Sequence, residues 1–186
     1  MGGSLEFSEI QSAVADRPAY KNLKNFVESG TYRLDTTLMA SKHYDNVYSV
    51  EICKELYDLC VERKEREGAD NIHLYFGDSL DHLHDIMPKV LEGSLIFLDS
   101  HISGRDSSWN GKQLVPLIEE LELILSYRLG PSVFILDDLR FWKHEGQRPH
   151  DWAHISTERI LDIFRENDHD VLTAFEQNDR LYVLTR

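Results

Sequence analysis

The sequence predicts an α/β fold, a three-layer sandwich in which helices cover both faces of a seven-stranded, mostly parallel sheet. Strand-like apolar runs alternate with helix-like periodic segments through most of the 186 residues. Two further strand-like runs then follow each other directly at the C-terminus, which predicts a closing antiparallel hairpin. The length fits one domain. We expect this domain to span residues 24–186, after an N-terminal segment of residues 1–23.

Three strand–helix units are predicted in the first half of the chain. The clearest helix has Cys53, Leu56 and Cys60 at helical spacing, and Gly68 suits its end. Two cysteines so placed in one helix stand about 10 Å apart along its axis, which is too far for a disulfide. The predicted elements are strand Asn25–Ser29, helix Leu34–His43, strand Asn46–Ile52, helix Cys53–Glu67, strand Ile72–Gly77 and a helix from about Leu80 to Leu91.

Two buried strands and the hairpin are predicted in the second half. Ser94–Leu98 and Ser132–Leu136 are continuous apolar runs, which are typical of strands covered on both faces. Pro116 suits the first turn of the helix between them, and Ser156–Glu166 is the final predicted helix. The dipeptide Asn178-Asp179 suits a tight turn. The hairpin strands are therefore predicted at Val171–Gln177 and Arg180–Thr185.

The N-terminal segment has a weaker pattern. Leu5, Ile10 and Val14 are loosely periodic, so we expect a helix within Leu5–Tyr20. Such a helix could form a lid over a ligand pocket.

The composition excludes several classes of partner. A net charge of −13 is unsuited to a broad nucleic-acid surface, because phosphates need a positive surface, so we expect no nucleic-acid partner. No apolar run is long enough for a membrane span, and we expect no membrane association. The two cysteines fall on an apolar helix stripe and indicate reduced core residues of a cytoplasmic protein. The oligomeric state is left open.

Each of the five predicted parallel strands ends in an acid. In open α/β sheets, ligands bind beyond the carboxyl ends of the strands. The sequence has no glycine-rich phosphate loop, and an acidic edge suits hydroxyls, amino groups, a cation or a metal. The alternative is that each acid only caps the helix that follows it. The strand-end acids are Glu28, Glu51, Asp78, Asp99 and the pair Asp137-Asp138.

Short motifs at these strand ends resemble one family. Phe26-Val27-Glu28-Ser29-Gly30-Thr31 resembles the first motif of the class I S-adenosylmethionine-dependent methyltransferases. Val50-Glu51, Gly77-Asp78-Ser79 and Leu98-Asp99-Ser100-His101 resemble the next three motifs. The resemblance covers roughly residues 24–186 and implies a Rossmann-like fold whose last strand is antiparallel, in agreement with the predicted hairpin.

The resemblance also implies a role for each motif. Glu28 would take the ammonium side of the cofactor, with Gly30 near its carboxylate. Glu51 would accept bonds from both ribose hydroxyls, Asp78 would lie near the adenine, and Asp99 beside the transferred methyl group. The predicted cofactor-binding residues are Glu28, Gly30, Thr31, Glu51, Ile52, Asp78, Ser79 and Asp99.

One residue departs from the family pattern. Leu34 stands where members usually have a second glycine in the first loop, and a side chain there narrows the approach to the cofactor. The sequence therefore leaves open a degenerate cofactor-binding or partner-regulating domain beside an active methyltransferase. A nicotinamide oxidoreductase is disfavoured by the missing glycine fingerprint and by the hairpin.

Two routes of catalysis are compatible with these residues. Asp99, Asp137 and Asp138 are expected on neighbouring strands, and carboxylates suit Mg²⁺ or Ca²⁺. This arrangement resembles the metal-dependent O-methyltransferases, in which a bound cation would lower the pKa of the acceptor hydroxyl. His101 could instead remove the proton from the acceptor, because histidine titrates near neutral pH. The predicted catalytic residues are Asp99 and His101.

The loops after the fourth and fifth predicted strands are expected to contact the acceptor, since loops at this edge carry specificity. Their aromatic and polar side chains suit a sugar-like or other hydroxylated small molecule. The tryptophans could instead pack against the sheet. The predicted function is O-methylation of such an acceptor, and the predicted acceptor contacts are Arg105, Trp109, Arg140 and Trp142.

Overall fold

A computed structural model describes residues 4–101, 114–143 and 152–186 of the chain. Within these ranges, seven strands form one sheet in which the first five are parallel and the last is antiparallel to both of its neighbours. The strands are β1 (Asn25–Ser29), β2 (Asn46–Glu51), β3 (Ile72–Phe76), β4 (Ser94–Leu98), β5 (Ser132–Leu136), β6 (Val171–Gln177) and β7 (Arg180–Thr185). Their order across the sheet is β3-β2-β1-β4-β5-β7-β6, which confirms the predicted fold class.

Helices cover both faces of this sheet. The helices are α1 (Phe7–Ala13), α2 (Asp35–Ser41), α3 (Lys54–Glu67), α4 (Ser79–Ile86), α5 (Leu117–Leu125), α6 (Leu139–Lys143) and α7 (Thr157–Glu166), with 3₁₀ turns at Pro18–Tyr20 and Met87–Lys89. On one face α4, α5 and α7 pack into the larger apolar cluster, and on the other face α1 and α2 pack into a second one. Among the described residues, none of the helices combines the length and the apolar character needed to span a bilayer.

Several predicted boundaries were wrong by a few residues. Cys53 lies outside the helix, as the extended residue before α3, whereas Cys60 lies within it, and both cysteines are buried and free. The helix predicted to reach Leu91 ends at Ile86 and continues only as a 3₁₀ turn. The cause is Pro88, whose nitrogen has no proton to donate to the helix.

The hairpin turn has the predicted conformation. Asn178 and Asp179 both have positive φ angles, of 50° and 65°, which is the requirement of the tight turn that matches strand twist. This turn sets Arg180 at the start of β7, next to the carboxyl end of β5, because the two strands are antiparallel. A basic side chain from the hairpin thereby reaches the acidic edge.

The N-terminal segment is part of the sheet's covering layer. Leu5, Ile10 and Val14 are all buried, and they pack with Phe97 and Tyr182 of the sheet. The loose periodicity therefore identified residues that face the core. The lid function of this segment stays a prediction.

Candidate active site

The predicted motifs meet at one edge of the sheet. Beyond the last ladder positions, the backbone N–H of Gly30 donates to the Val50 carbonyl at 3.0 Å, and that of Asp99 donates to the Ser29 carbonyl at 3.0 Å. The first residues after β1 and β4 are therefore held to the ends of β2 and β1 by main-chain hydrogen bonds. This is the position at which α/β sheets bind ligands.

Gly30 is required by the packing of these loops. Its φ is +88°, and a Cβ atom built there would lie 2.6 Å from the carbonyl oxygen of Asp99. Any side chain would collide with backbone that cannot rotate away. The glycine therefore lets the first and fourth motifs approach each other closely.

The rest of the first loop has glycine-like backbone without glycine. Tyr32 and Leu34 have φ angles of 51° and 72°, a conformation that costs an L-residue about 1–2 kcal/mol. Leu34 is fully buried, and burial of a leucine side chain contributes about 1.5–3 kcal/mol, which offsets that cost. Tyr32 is 46% exposed and has less such compensation. The sequence motif singled out Leu34 as a residue in place of a glycine, but it did not single out Tyr32, whose φ angle is also positive.

Glu28 supports this loop from below. Its side chain is 1% exposed, and Oε2 accepts hydrogen bonds of 2.6 Å from both Thr37 and Ser49. The Ser49 hydroxyl also lies 2.6 Å from that of Thr31. Burial raises the pKa of Glu28 to about 7, although the two hydroxyl donors oppose the shift. The predicted contact of Glu28 with the cofactor ammonium stays a prediction.

Glu51 is enclosed by the first loop. Its two carboxylate oxygens accept backbone N–H bonds from Tyr32 at 2.7 Å and from Cys53 at 2.8 Å. Burial raises the pKa of this carboxyl, while those bonds act to lower it. Each carboxylate oxygen has two lone pairs, so both oxygens keep acceptor capacity for a ligand hydroxyl. Ile52, beside it, is half-buried.

At the end of β3 the capping alternative is correct for one acid. Asp78 precedes α4, and its carboxylate accepts the backbone N–H of Leu80 at 3.0 Å. Ser79 is buried and faces inward. The predicted adenine contacts of both residues stay predictions.

Asp99, His101 and Asp138 lie together at the ends of β4 and β5. The Nε2 of His101 is 2.9 Å from the Oδ2 of Asp138, and its Nδ1 is 3.6 Å from the Oδ1 of Asp99. Burial, and then the charges of Asp137 and Asp138, raise the pKa of Asp99 well above its usual value. Burial also acts to raise the pKa of Asp138, but contacts with His101 and Arg140 lower it below the usual value.

Two arginines pair with the β5 carboxylates. Arg140 pairs with both Asp138 and Asp179. Arg180 is 3% exposed, and its guanidinium lies 3.4 Å from Asp137 and 2.8 Å from Glu9 of α1. Burial raises the pKa of Asp137, and the Arg180 charge opposes that shift. Each arginine is shared with a second carboxylate, so the two guanidinium groups offset part of the negative charge at this edge.

These acids also meet the distance requirement for a metal ion. Asp99, His101 and Asp138 offer ligand atoms within 4.8 Å of one another, as do Asp137, Asp138 and Asp179. The first group includes an imidazole, which suits transition metals better than the predicted Mg²⁺ or Ca²⁺. Asp138, common to both groups, is already paired with Arg140. The metal site stays a prediction.

The predicted acceptor contacts divide into three cases. Arg140 lies at the site, with its guanidinium carbon 4.3 Å from the ring centroid of Phe141. Trp142 is 1% exposed and stacks on Trp152 at 5.8 Å, as the packing alternative predicts, and its contact with an acceptor stays a prediction. Arg105 and Trp109 lie outside the described residues.

Known proteins were compared by sequence and by structure. No protein-family model matches the sequence, and no curated protein sequence matches it. The O-methyltransferase TomG from Streptomyces achromogenes, solved with S-adenosylmethionine, superposes with a TM-score of 0.66 at 12% identity, over 95% of this chain and 79% of that one. A putative caffeoyl-CoA O-methyltransferase from Staphylococcus aureus gives 0.64 at 14% identity, over 100% and 85%.

A third structure agrees with these two. The O-methyltransferase from Bacillus cereus in complex with SAH superposes with a TM-score of 0.60 at 18% identity, over 95% of this chain and 78% of that one. The chain has the class I methyltransferase fold. At these identities the likeness establishes the fold alone, and the activity has to be argued from the site.

Three residues of this site were not predicted from the sequence. Arg180 neutralises Asp137 but lies on the hairpin, far from the acids in sequence. The backbone N–H of Tyr32 donates a hydrogen bond to Glu51. Glu120 of α5 is fully buried beneath the strand-end loops, yet in the sequence it is one of several glutamates on an amphipathic helix. Only its position among apolar residues, next to Leu121 and on the same stripe as Leu117, could have singled it out.

Proposed function

We propose that this protein is an S-adenosylmethionine-dependent methyltransferase that transfers a methyl group to the oxygen of a small hydroxylated molecule. The observation that carries the proposal is the placement of His101 between Asp99 and Asp138, beside the loop that Gly30 allows to approach β4. The structures solved with S-adenosylmethionine and SAH support the same cofactor class.

The residues of the first loop and of β2 suit this cofactor. Gly30 lets the first loop lie directly against the end of β4, where a Cβ atom would collide with the carbonyl oxygen of Asp99. Glu51 lies at the carboxyl end of β2 and keeps acceptor capacity on both oxygens, so it can accept two ribose hydroxyls. When bound, the cofactor supplies a methyl group already activated by its sulfonium.

His101 is proposed as the general base. Its Nε2 faces Asp138, which favours the tautomer that carries the proton there and leaves Nδ1 free to accept one. Nδ1 would take the proton as the acceptor O–H bond breaks. The acceptor oxygen would form its new bond to the methyl carbon that a bound cofactor would supply, with the electron pair of the broken C–S bond staying on the cofactor sulfur. Asp138 then stabilises the imidazolium, and Arg140 keeps Asp138 ionised. The in-line geometry is the main contribution of the protein.

A metal-independent reaction is favoured by the two arginines. Arg140 and Arg180 already balance Asp138 and Asp137, and a divalent ion at these acids would lie close to both guanidinium groups. We therefore assign no step to a metal.

The proposal extends to partners and location. The partner is a small-molecule acceptor, and the charge of −13 argues against nucleic acid. Two free, buried cysteines are typical of a reducing compartment, so we place the protein in the cytoplasm.

Turnover distinguishes this proposal from a degenerate binding domain. Methyl-labelled S-adenosylmethionine would be incubated with the protein and a panel of sugars, polyols and phenols, and labelled product separated from cofactor. We expect label in at least one hydroxylated acceptor, with stoichiometric release of S-adenosylhomocysteine. Cofactor binding without turnover on any acceptor would contradict the enzyme and support the binding-domain alternative.

A further inference from the structure

Glu120 is a buried carboxyl to which the reaction above gives no role. It lies on α5, is 0% exposed, and its neighbours on the same helix include the core residues Leu121 and Ile124. Burying a carboxyl is costly unless hydrogen-bond donors surround it. A well-packed apolar side chain would serve stability as well or better at such a position. Its presence therefore calls for a role in specifying structure.

Three serine hydroxyls surround this carboxyl. Oε2 accepts a hydrogen bond from Ser29 at 3.0 Å, and Oε1 accepts one from Ser100 at 2.5 Å. Ser79 also donates a hydrogen bond to the carboxyl. Ser29 is fully buried and Ser79 nearly so. The hydrogen bonds from these two serines to Glu120 are therefore shielded from solvent.

Each serine is adjacent to a residue of a different predicted cofactor motif. Ser29 ends β1 and immediately precedes Gly30, and Ser100 follows Asp99. Ser79 follows Asp78 at the start of α4. These three loops are those that would contact the methionine end, the methyl group and the adenine of the cofactor. One side chain thus connects three loops that are distant in sequence. Ser79 lies 50 residues after Ser29, and Ser100 lies 71 residues after it.

We infer that Glu120 is a positioning residue for cofactor binding, which holds the loops after β1, β3 and β4 at the spacing that the cofactor spans. The inference rests on the proposed cofactor site. Glu120 does not contact the cofactor itself, because it is buried beneath the loops. Its effect is on the geometry of Gly30, Asp78 and Asp99 through the neighbouring serines.

The consequence is a loss of affinity that stability alone does not explain. Loss of one well-placed hydrogen bond to a charged ligand group corresponds to about tenfold or more in affinity. We expect Glu120→Ala to raise the dissociation constant for S-adenosylhomocysteine by tenfold or more, and Glu120→Gln, which keeps the size and one carbonyl acceptor, to recover most of the affinity. Glu122→Gln, on the exposed face of the same helix where it pairs with Arg159, should bind as the parent does.

Calorimetry with S-adenosylhomocysteine tests this on the folded protein, at a temperature well below the melting point of each variant. If Glu120→Ala does not fold, the comparison of Glu120→Gln with Ser100→Ala replaces it, and Ser100→Ala should lose affinity. A folded Glu120→Ala variant, or failing that a folded Ser100→Ala, with parental affinity would overturn the inference and leave the proposed function intact. No binding by the parent protein would overturn the proposed function, and the inference with it.

Discussion

Replacement of His101 by asparagine should reduce methyl transfer by about 10²–10⁴-fold, because this is the usual contribution of a general base. The imidazole of His101 lies between Asp99 and Asp138. Asparagine keeps a polar side chain of similar reach but cannot take a proton. The initial rate should fall with little change in cofactor affinity, since His101 is assigned to the acceptor rather than to the cofactor.

A chelator decides between the two routes of proton removal. We expect the parent enzyme to retain its rate in excess EDTA, because Arg140 and Arg180 pair with Asp138 and Asp137. His73→Asn, at an exposed position of β3, is the matched control for His101→Asn and should have the parental rate. A rate abolished by EDTA and restored by Mg²⁺, together with a His101→Asn variant of near-parental activity, would assign the chemistry to a metal instead.

The free energy of unfolding should decrease as pH rises from about 5 to about 7.5. Burial raises the pKa of both Glu28 and Glu120 to about 7, from an ordinary value of 4.5. Between these values the folded state binds more protons than the unfolded state, so the stability that these groups contribute is present at low pH and declines as they ionise. Burial also raises the pKa of Glu51, Asp99 and Asp137. The pKa of Asp138 is lowered instead, from an ordinary value of 3.8, so this group stays ionised throughout the range and does not change the slope.

The size of this effect is measurable. A shift from 4.5 to about 7 corresponds to about 3 kcal/mol for each glutamate, as an upper estimate. For a chain of this length, each kcal/mol changes the melting temperature by about 2–4 °C. The measurement is the melting temperature at pH 5.5 and at pH 8, for the parent and for the variants.

Glutamine at either buried position should flatten this profile. Glu28→Gln and Glu120→Gln each remove one titrating group while keeping the side-chain volume, whereas Glu122→Gln on the surface should leave the slope unchanged. A parent protein that gains stability between pH 5.5 and pH 8, as ordinary acid-denatured proteins do, would show that these carboxyls are ionised at little cost.

The fold could be predicted from the sequence because its pattern is local. The buried runs Ser94–Leu98 and Ser132–Leu136 became β4 and β5 with unchanged bounds, and Asn178-Asp179 formed the turn that its residue types require. Errors arose at the ends of elements. Pro88 shortened a helix, and Leu34 adopted a left-handed conformation that its residue type does not suggest.

The site was less predictable because its organisation depends on contacts distant in sequence. The acids themselves were identified from their place at strand ends. Their partners were not, because Arg180 reaches Asp137 only through the antiparallel pairing of β7 with β5. Glu120 meets its serines only when three loops converge. Trp142 was predicted to contact the acceptor because aromatic and polar residues surround it in the sequence. In the structure it is buried and packs against Trp152.

Binding of S-adenosylmethionine, measured by calorimetry on the parent, on Glu51→Ala and on Glu55→Ala, tests the central claim most directly. Glu51 accepts backbone bonds at the end of β2, whereas Glu55 is an exposed acid four residues later in the sequence. Hydrogen bonds to a charged group contribute about 1.5–3 kcal/mol each. We therefore expect the parent to bind, Glu51→Ala to bind at least tenfold more weakly, and Glu55→Ala to match the parent. A parent that does not bind, or a Glu51→Ala variant that binds as tightly as the parent, would contradict the account.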